Sequence, residues 1–327
     1  MAINHIIDKH DIERFTSAGV TVDLARLLRS RHWAQSLSLF SRQAARSMLL
    51  GAVRSRFRGR GMEFEEVRHY QAGDDIRSID WKVSARTGET YTKLFCEERE
   101  RPCHIMVDQR PSLFFGSTRQ FKSVLAAELA AALAWAALKG GDRIGGQVLT
   151  VGAERDSRAR RNKSAVLKFI HDIVDLNHRL ISPPSDFPAV SSSRDSQVAA
   201  GSLAHSLEEC RRITRPGTAI FIISDFHDFD DAAARALSTL GKHTDLTLLQ
   251  ITDPLEAEMP LAGRFAISNG VVDRNVSITP AIQRAYLQEL ELQNKALQSA
   301  ARQARARMTS ASTQDSARDI LNAVYRR

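Results

Sequence analysis

Two aspartates that follow predicted strands are the residues of this sequence best placed to do chemistry. Asp108 ends the apolar run HIMVD, and Asp225 ends the run AIFIISD. In open α/β sheets, ligands bind beyond the carboxyl ends of the strands, where the winding of the sheet reverses. We therefore expect Asp108 and Asp225 to face each other there. Because neighbouring carboxylates repel each other, such a site needs either a hard cation or a basic side chain.

The chain around these aspartates alternates apolar runs with amphipathic stretches. From residue 101 onward, runs such as HIMVDQ and LTLLQITDP predict strands, and stretches such as 163–176 and 203–213 have helical periodicity. This alternation favours a doubly wound, mostly parallel α/β sheet covered by helices on both faces. The Ala-rich run at 126–138 is expected to pack tightly on that sheet rather than to bind lipid.

The same patterns predict three parts of the chain. Residues 1–100 are predicted to form an N-terminal helical segment, with helices within 8–50, followed by a small α+β module. Residues 101–308 are predicted to form the α/β domain, which a long helix with an apolar stripe from Ile282 to Ala301 closes. Residues 309–327 are predicted to be a polar C-terminal tail with at most one short helix.

Composition excludes several classes of protein. The 327 residues are 43% hydrophobic and 26% charged, which is typical of a globular protein and not of a disordered, collagen-like or disulfide-stapled chain. The net charge of +8 favours acidic partners. It does not point to nucleic acid, because the Arg-rich spans 54–60, 155–161 and 302–307 lack interleaved aromatic residues apart from Phe57.

Cysteine usage and hydropathy bear on location. The three cysteines form no CxxC pair, so neither a zinc knuckle nor a disulfide framework is predicted, and a reducing compartment fits. The most apolar run, Leu129–Leu138, is shorter than the roughly 18–20 residues that cross a bilayer. The first residues have no signal-peptide pattern. These observations predict a cytoplasmic protein with no integral membrane segment.

The loop after Asp108 resembles a degraded metal-ion-dependent adhesion site of the von Willebrand factor A fold. In that family a D-x-S-x-S loop, a Thr and a second Asp hold the ion. Asp108 matches the first Asp, Ser112 the second Ser and Asp225 the last Asp, Ser202 stands in for the Thr, and Arg110 replaces the first Ser. The resemblance implies two alternatives: the remaining ligands hold Mg²⁺, or the Arg110 guanidinium takes the place of the cation.

A longer stretch resembles the domain-of-unknown-function 58 family. The matching residues are Gly61, Glu63, Phe64, Arg68, Tyr70, Gly73, Asp74, Asp75, Arg77, Ile79, Asp80, Trp81, Ala85 and Arg86. The segments VDQRPSLFFGS, Phe121–Lys122 and GDRIG continue the pattern. The resemblance implies a von Willebrand factor A-like domain fused to a small N-terminal module. It also implies a role as adaptor or co-chaperone of a MoxR-type AAA+ ATPase.

Two other constellations have competing interpretations. The turn GDDIRSIDW holds three aspartates with Arg77 and Trp81, either as a self-satisfied charge network or as a recognition edge for a partner. His171, Asp175 and His178 share one face of a predicted helix, which could hold zinc or could be a solvated polar face. No P-loop, GxSxG, HExxH, EF-hand or dinucleotide fingerprint is present.

These observations favour a non-enzymatic protein-interaction module with no cofactor. A partner carboxylate is expected to bind Arg110 directly. The residues predicted to bind partners are Arg110, Ser112, Ser202, Asp225, Arg77 and Trp81. The alternative is a metal-dependent hydrolase, a nuclease or phosphatase that uses Asp108, Asp225 and Asp228.

Overall fold

The computed structural model describes residues 19–40, 62–97, 102–150, 155–181, 201–258, 263–268 and 273–325. In chain order its elements are α1 (Leu24–Ala34), β1 (Met62–His69), α2 (Trp81–Thr87), β2 (Tyr91–Glu97), β3 (Pro102–Asp108), α3 (Lys122–Lys139), β4 (Arg143–Leu149), β5 (Arg155–Arg160), α4 (Lys163–His178), α5 (Leu203–Ile213), β6 (Ala219–Ser224), α6 (Asp231–Gly241), β7 (Asp245–Thr252), α7 (Pro254–Ala257), β8 (Gly263–Ser268), β9 (Asp273–Ile278), α8 (Pro280–Gln303), β10 (Arg307–Ser312) and α9 (Ala317–Tyr325). The chain divides into a small compact unit, residues 40–100, and a large one that contains the rest.

A six-stranded sheet organises the large unit. Its strand order is β10-β7-β6-β3-β4-β5, and every pair is parallel except β4 with β5. The winding reverses between β3 and β6, so the first strand of the sheet lies centrally beside a later one. The mostly parallel α/β sheet covered by helices is therefore confirmed.

The two faces of the sheet are covered in different ways. Helix α3 lies on one face and packs against the sheet, α1, α4 and α9. It is buried from Lys122 to Ala137, and its alanines let the helix axis approach the strands closely. The tight packing predicted for this Ala-rich run is confirmed. Residues of α5, α6 and α8 form the apolar core on the opposite face with Met106, Ile220 and Leu248.

Close contacts fix the distance between some layers. A Cβ on Gly146 of β4 would lie 2.3 Å from the Phe169 ring of α4, so only glycine fits between this strand and this helix. A Cβ on Gly241 at the end of α6 would lie 2.4 Å from the carbonyl oxygen of Ala304.

In the small unit, β1 and β2 pair with each other in antiparallel orientation, and α2 lies in the segment of chain that connects them. A short 3-10 turn, Ile76–Ser78, precedes α2. Asp80 caps α2 by accepting hydrogen bonds from the backbone N–H groups of Lys82 and Val83. The strand-like pieces predicted here on either side of a polar turn are confirmed.

Two predicted boundaries need correction. Residues 24–34 of the predicted N-terminal part form α1, which packs on α3 of the large unit. Residues 309–327 are not a tail, because β10 pairs in parallel with β7 and α9 buries Leu321 and Tyr325. The sequence of β10, RMTSAS, is polar and has no apolar pattern that predicts a strand. The strand is recognised only from its backbone pairing with β7. The helical prediction for 8–50 is wrong at residues 19–23 and 35–40, which form turns and irregular chain on either side of α1. Its remaining parts, 8–18 and 41–50, lie outside the described residues, as does the Arg-rich span 54–60.

In the part of the chain that the structure describes, no helix combines the length and the apolar character needed to cross a membrane.

Candidate functional site

The candidate site lies at the C-terminal edge of the sheet, where β3 and β6 run side by side. Val107 pairs with Ile223, so Asp108 and Ser224 occupy equivalent positions and point to the same face. The Ser224 hydroxyl donates to Asp108 Oδ2 at 2.7 Å. Asp225 is one residue further along and its side chain points to the opposite face, towards α3. The two carboxylates therefore do not share one cation.

Arg110 occupies the space between Asp108 and Asp228. Its Nε donates to both Asp108 oxygens at 3.0 and 3.1 Å, and its Nη2 donates to Asp108 at 2.7 Å and to Asp228 at 2.9 Å. Its Nη1 donates to Asp228 at 2.6 Å and to the Gly201 carbonyl at 3.3 Å. All five N–H donors of the guanidinium are thus used within the chain. With only 7% of the residue exposed, Arg110 is a buried counter-charge.

A strained turn after β6 brings Asp228 to this position. Phe226 adopts a left-handed conformation with φ 56°, which is uncommon for a residue with a Cβ. The Ser224 hydroxyl oxygen stabilises the turn by accepting a hydrogen bond from the Phe226 backbone N–H at 3.0 Å. Asp228 also accepts a hydrogen bond of 2.9 Å from the Leu203 N–H at the start of α5, where the helix dipole favours a negative charge.

A second buried cation neutralises Asp225. The Lys122 ammonium, at the first position of α3, donates to Asp225 Oδ2 at 3.0 Å and to Glu256 Oε1 at 2.6 Å. The side chains of Lys122 and Asp225 are only 4% and 5% exposed. Because a lysine at a helix N-terminus opposes the helix dipole, these two carboxylates are needed to hold it there.

Asp253 connects the loop after β3 to the C-terminal strand. This buried carboxylate accepts hydrogen bonds from the backbone and hydroxyl of Ser117, from the Thr313 hydroxyl at 2.6 Å and from the Leu255 N–H at 3.0 Å. Glu256 completes a capping box with Asp253 at the start of α7. The loops that follow β3, β6, β7 and β10 are therefore joined to one another by polar side chains.

Electrostatics keep Asp228 and the two cations charged. Burial raises the pKa of Asp108, and Arg110 and the Ser224 hydroxyl oppose that rise. Burial would also raise the pKa of Asp228, yet the hydrogen bonds and charge of Arg110 hold it below its ordinary value. Burial opposes the charged forms of both cations, but the paired carboxylates raise the pKa values of Arg110 and Lys122. Both cations therefore stay protonated at neutral pH.

The structure supports part of the predicted geometry and corrects the rest. Arg110 pairs with Asp108, as one of the two alternatives expected. The expected sharing of Arg110 with Asp225 is wrong, because side-chain alternation turns Asp225 to the other face and Asp228 takes its place. The Ser202 hydroxyl caps α5 by accepting from the His205 N–H at 3.2 Å. Ser112 lies half-buried in the short turn Pro111–Leu113.

The geometry does not suit a catalytic metal site. A hydrolase would need the carboxylates of Asp108, Asp225 and Asp228 free to bind a metal ion. Instead, Arg110 binds Asp108 and Asp228, and Lys122 binds Asp225.

The three aspartates of the small unit each have hydrogen-bond or ion-pair partners within that unit. Asp74 pairs with Arg68 at 2.7 Å, Asp75 caps the 3-10 turn, and Asp80 caps α2 and contacts Lys93 at 3.4 Å. The interpretation as a self-satisfied charge network is confirmed for these three residues. Arg77 is exposed, and Trp81 is 68% exposed.

The zinc alternative at His171, Asp175 and His178 is not supported. Asp175 pairs with Arg155 at 2.6 Å, and His178 Nε2 lies 2.9 Å from the Val22 carbonyl. Among the described residues, no group of three or more His, Cys, Asp or Glu side chains is arranged to hold a metal ion.

Sequence reasoning missed Lys122, Ser224, Asp253 and Glu256. The position of Lys122 could have predicted part of the site, because a cation at the first position of an otherwise apolar helix requires acidic partners. A second signal is the sequence DPLE at Asp253, which combines a capping Asp, a Pro at the first helical position and a Glu three residues on. Neither signal identifies the partner that each residue finds across the sheet.

Comparisons with known proteins agree with the sequence pattern. An uncharacterized protein of Mycobacterium bovis is 28% identical over 252 residues, which cover 76% of this chain and 74% of the relative. An uncharacterized protein of Mycobacterium tuberculosis matches to the same extent.

Among solved structures, the conserved hypothetical protein BatB from Bacteroides thetaiotaomicron has a TM-score of 0.38 and 15% identity, covering 68% of this chain and 95% of that one. An aerotolerance-related membrane protein from Bacteroides fragilis, with multiple mutations to serines, has a TM-score of 0.37 and 15% identity, covering 68% and 96%.

Residues 66–296, more than half of the chain, match the family described as "Protein of unknown function DUF58". The chain therefore belongs to the DUF58 family.

Proposed function

We propose that this protein is a non-enzymatic interaction module that serves as an adaptor or co-chaperone of a MoxR-type AAA+ ATPase. The large unit is interpreted as a von Willebrand factor A-like domain with a degenerate adhesion site. The observation that carries the proposal is the saturated Arg110 guanidinium between Asp108 and Asp228. It provides a positive charge where relatives of that fold would hold a metal ion.

Ion pairing gives this edge the properties of a preformed binding surface. Arg110 and Lys122 hold the loops after β3 and β6, and Asp253 holds the loops after β7 and β10. Because the loops are fixed before a partner arrives, less conformational entropy is lost on binding. The same ion pairs argue against a hydrolase, since they occupy the carboxylates that a metal would need.

The role of Arg110 changes within this proposal. A partner carboxylate could bind the guanidinium only by displacing one of its present acceptors, so we assign Arg110 a positioning role. Exposed groups of the same loop then contact the partner directly. They include Phe115, which is 37% exposed, and Arg119. Exposed aromatic and Arg side chains are typical anchors of protein interfaces. Ser112, Ser202 and Asp225 remain proposed members of this edge.

Trp81 and Arg77 form a second proposed contact in the small unit. Trp81 is largely exposed, and Ile76 of the same unit is 65% exposed. The identity of the ATPase partner rests on the family resemblance. A cytoplasmic location is part of the proposal, and the burial of Cys103 and Cys210 is compatible with a reducing compartment.

The test is a binding measurement between the full chain and the MoxR-type ATPase of the same organism. The variants are Phe115→Ala and Arg119→Glu, next to the start of α3. Lys139→Glu, at the other end of the same helix, is the matched control because it makes the same charge reversal at the opposite edge of the sheet. We expect the two loop variants to weaken binding at least about tenfold and the control to leave it unchanged. Equal binding by all variants would exclude this edge, and no binding by the wild type would refute the partner.

A further inference from the structure

A cleft opens beside the ion pairs of Lys122 with Asp225 and Glu256. It has a volume of about 330 Å³ and lies between the ends of β6 and β7 and the inner face of α8. That volume is within the range of pockets that bind small molecules or single large side chains, about 300–1,000 Å³. The floor is formed by Lys122, Asp225 and Glu256, and Tyr286 and Asn294 of α8 form one wall.

The lining of the cleft carries more negative than positive charge. Lys122 is the only Lys or Arg among the described lining residues, and Asp225, Glu256 and Glu258 oppose it. Asp253 also lines the cleft, but its oxygens are occupied by Ser117, Thr313 and Leu255. Glu258 is exposed, and the Glu256 side chain is 26% exposed. The oxygens of Asp225 and Glu256 accept hydrogen bonds from Lys122 and from the backbone N–H groups of His227 and Asp253. The exposed Glu258 is therefore the carboxylate most open to a cation that enters the cleft.

The walls suit a long side chain better than a bare ion. Tyr286 and Leu290 of α8 are half-buried and provide apolar surface for the methylene stem of a Lys or Arg. Gln250 donates to Asn294 Oδ1 at 2.8 Å across the cleft. Gln293 and the exposed Gln314 also line it, so amide groups are available for hydrogen bonds with a backbone.

The surroundings of the cleft favour a polypeptide over a free amine. On the N-terminal half of α8, Ile282 is 46% exposed and lies four residues before Tyr286, on the helix face that lines the cleft. An extended segment lying along this helix could bury this apolar side chain while one of its side chains enters the cleft. A small diamine would reach the carboxylates but would leave the helix surface uncovered.

We propose that the cleft binds a Lys or Arg side chain presented by an extended segment of a partner polypeptide. The positive head group lies against Glu256 and Glu258, and the stem lies on Tyr286 and Leu290. This inference goes beyond the proposed function and does not depend on the ATPase.

The test is a titration of the full chain, labelled at the methyl groups of Ile, Leu and Val, with short capped peptides. The probe is Ac-Ala-Ala-Arg-Ala-Ala-NH₂. The same peptide with citrulline or Glu in place of Arg, and the free amine agmatine, are the comparisons. We expect the Arg peptide to shift the methyl signals of Leu290, Leu297 and Ile251 saturably, and we expect the citrulline and Glu peptides to leave them unchanged.

Variants separate the cleft from general charge effects. Glu258→Gln and Tyr286→Ala should each weaken binding of the Arg peptide at least about threefold. Glu291→Gln is the matched control on α8, because Glu291 lies outside the cleft and pairs with Lys295. The proposal is overturned if the Arg peptide causes no shift or if citrulline binds equally. It is also overturned if agmatine binds as tightly as the peptide, or if Glu258→Gln behaves like Glu291→Gln.

Discussion

At the scale of single residues, the candidate site is a set of charges removed from water and matched in pairs. Transfer of an ion pair into a protein interior costs desolvation energy, so such pairs add little net stability. Loss of one partner is costly, however, because it leaves a buried charge without compensation. We conclude that Arg110 and Lys122 act mainly by fixing the positions of Asp108, Asp228, and Asp225.

Lys122 provides the clearest test of this pairing. Lys122→Met should lower the free energy of unfolding by about 3–5 kcal/mol, since Asp225 would remain buried without its counter-charge. The double variant Lys122→Met with Asp225→Asn should recover part of the loss. Lys139→Met, an exposed change in the same helix, should cost no more than about 1 kcal/mol. Urea denaturation measures all three, and an undiminished stability of Lys122→Met would show that the pair is not needed.

His104 is a buried titratable residue on β3, and its Nε2 has no hydrogen-bond partner among the described residues. Burial lowers its pKa to about 4, and the polar Gln147 side chain opposes the shift. The unfolded chain, with a pKa near 6.5, therefore takes up a proton before the folded protein does. Stability contributed by neutral His104 is complete above pH 6.5 and declines as the pH falls towards 4.

From this shift we expect the protein to lose roughly 2 kcal/mol between pH 7.5 and pH 5.0 through His104 alone. His104→Gln should remove that part of the pH dependence, whatever its effect on stability at pH 7.5. The measurement is the free energy of unfolding of both proteins at the two pH values. Parallel declines would contradict the assignment to His104.

The sequence predicted part of the site at this scale. The position of Asp108 at a strand end and the nearby Arg110 were sufficient to predict their pairing. The mistaken choice of Asp225 over Asp228 has a physical cause. The face to which a strand residue points depends on the register between β3 and β6, and a shift of one residue reverses it. A single sequence does not fix that register.

At the scale of elements, the loops of the C-terminal edge are joined across long distances in the chain. Asp253 links Ser117, in the loop after β3, to Thr313, which follows β10. The Thr313 hydroxyl also lies 3.2 Å from that of Thr118. A loop held by buried hydrogen bonds of this kind is expected to be less mobile than a solvated loop.

Thr313→Val tests this link because it removes only the hydroxyl. We expect a loss of about 1–3 kcal/mol, since one acceptor of the buried Asp253 would lose its donor. Hydrogen exchange of the backbone amides at Ser117 and Thr118 should become faster. Thr309→Val, a half-buried change on β10 itself, is the control and should alter stability by less than about 0.5 kcal/mol. An unchanged exchange rate at Ser117 in Thr313→Val would contradict the proposed link between the two loops.

Elements differ in how well the sequence predicted them. Helices α4 and α5 were predicted because their apolar residues recur at helical spacing, and β6 because it is continuously apolar. The edge strands β5 and β10 were missed because they have the polar sequences RDSRAR and RMTSAS. Charged edge strands are a common protection against pairing with other chains, and they lack the apolar signal on which prediction depends.

At the scale of the whole molecule, the chain consists of a large α/β unit that receives the small unit of residues 40–100 as an insertion before β3. The net charge of +8 is distributed over the sequence, so it does not identify a particular surface as the one that binds a partner. What distinguishes the molecule is the C-terminal edge, where two buried cations and the Asp253 carboxylate hold four loops. A metal ion is not required for such an arrangement.

The most direct test of this account is calorimetric titration of Mg²⁺ and Mn²⁺ into the wild type and into Arg110→Ser, each first treated with EDTA. Arg110→Ser removes the guanidinium and places a serine at the position that the proposed adhesion-site resemblance gives to one. We predict no binding of either ion to the wild type. In Arg110→Ser, the unpaired Asp108 and Asp228 should bind Mn²⁺ measurably and raise the melting temperature when the ion is present. Stoichiometric binding of either ion to the wild type would contradict the claim that Arg110 takes the place of a metal.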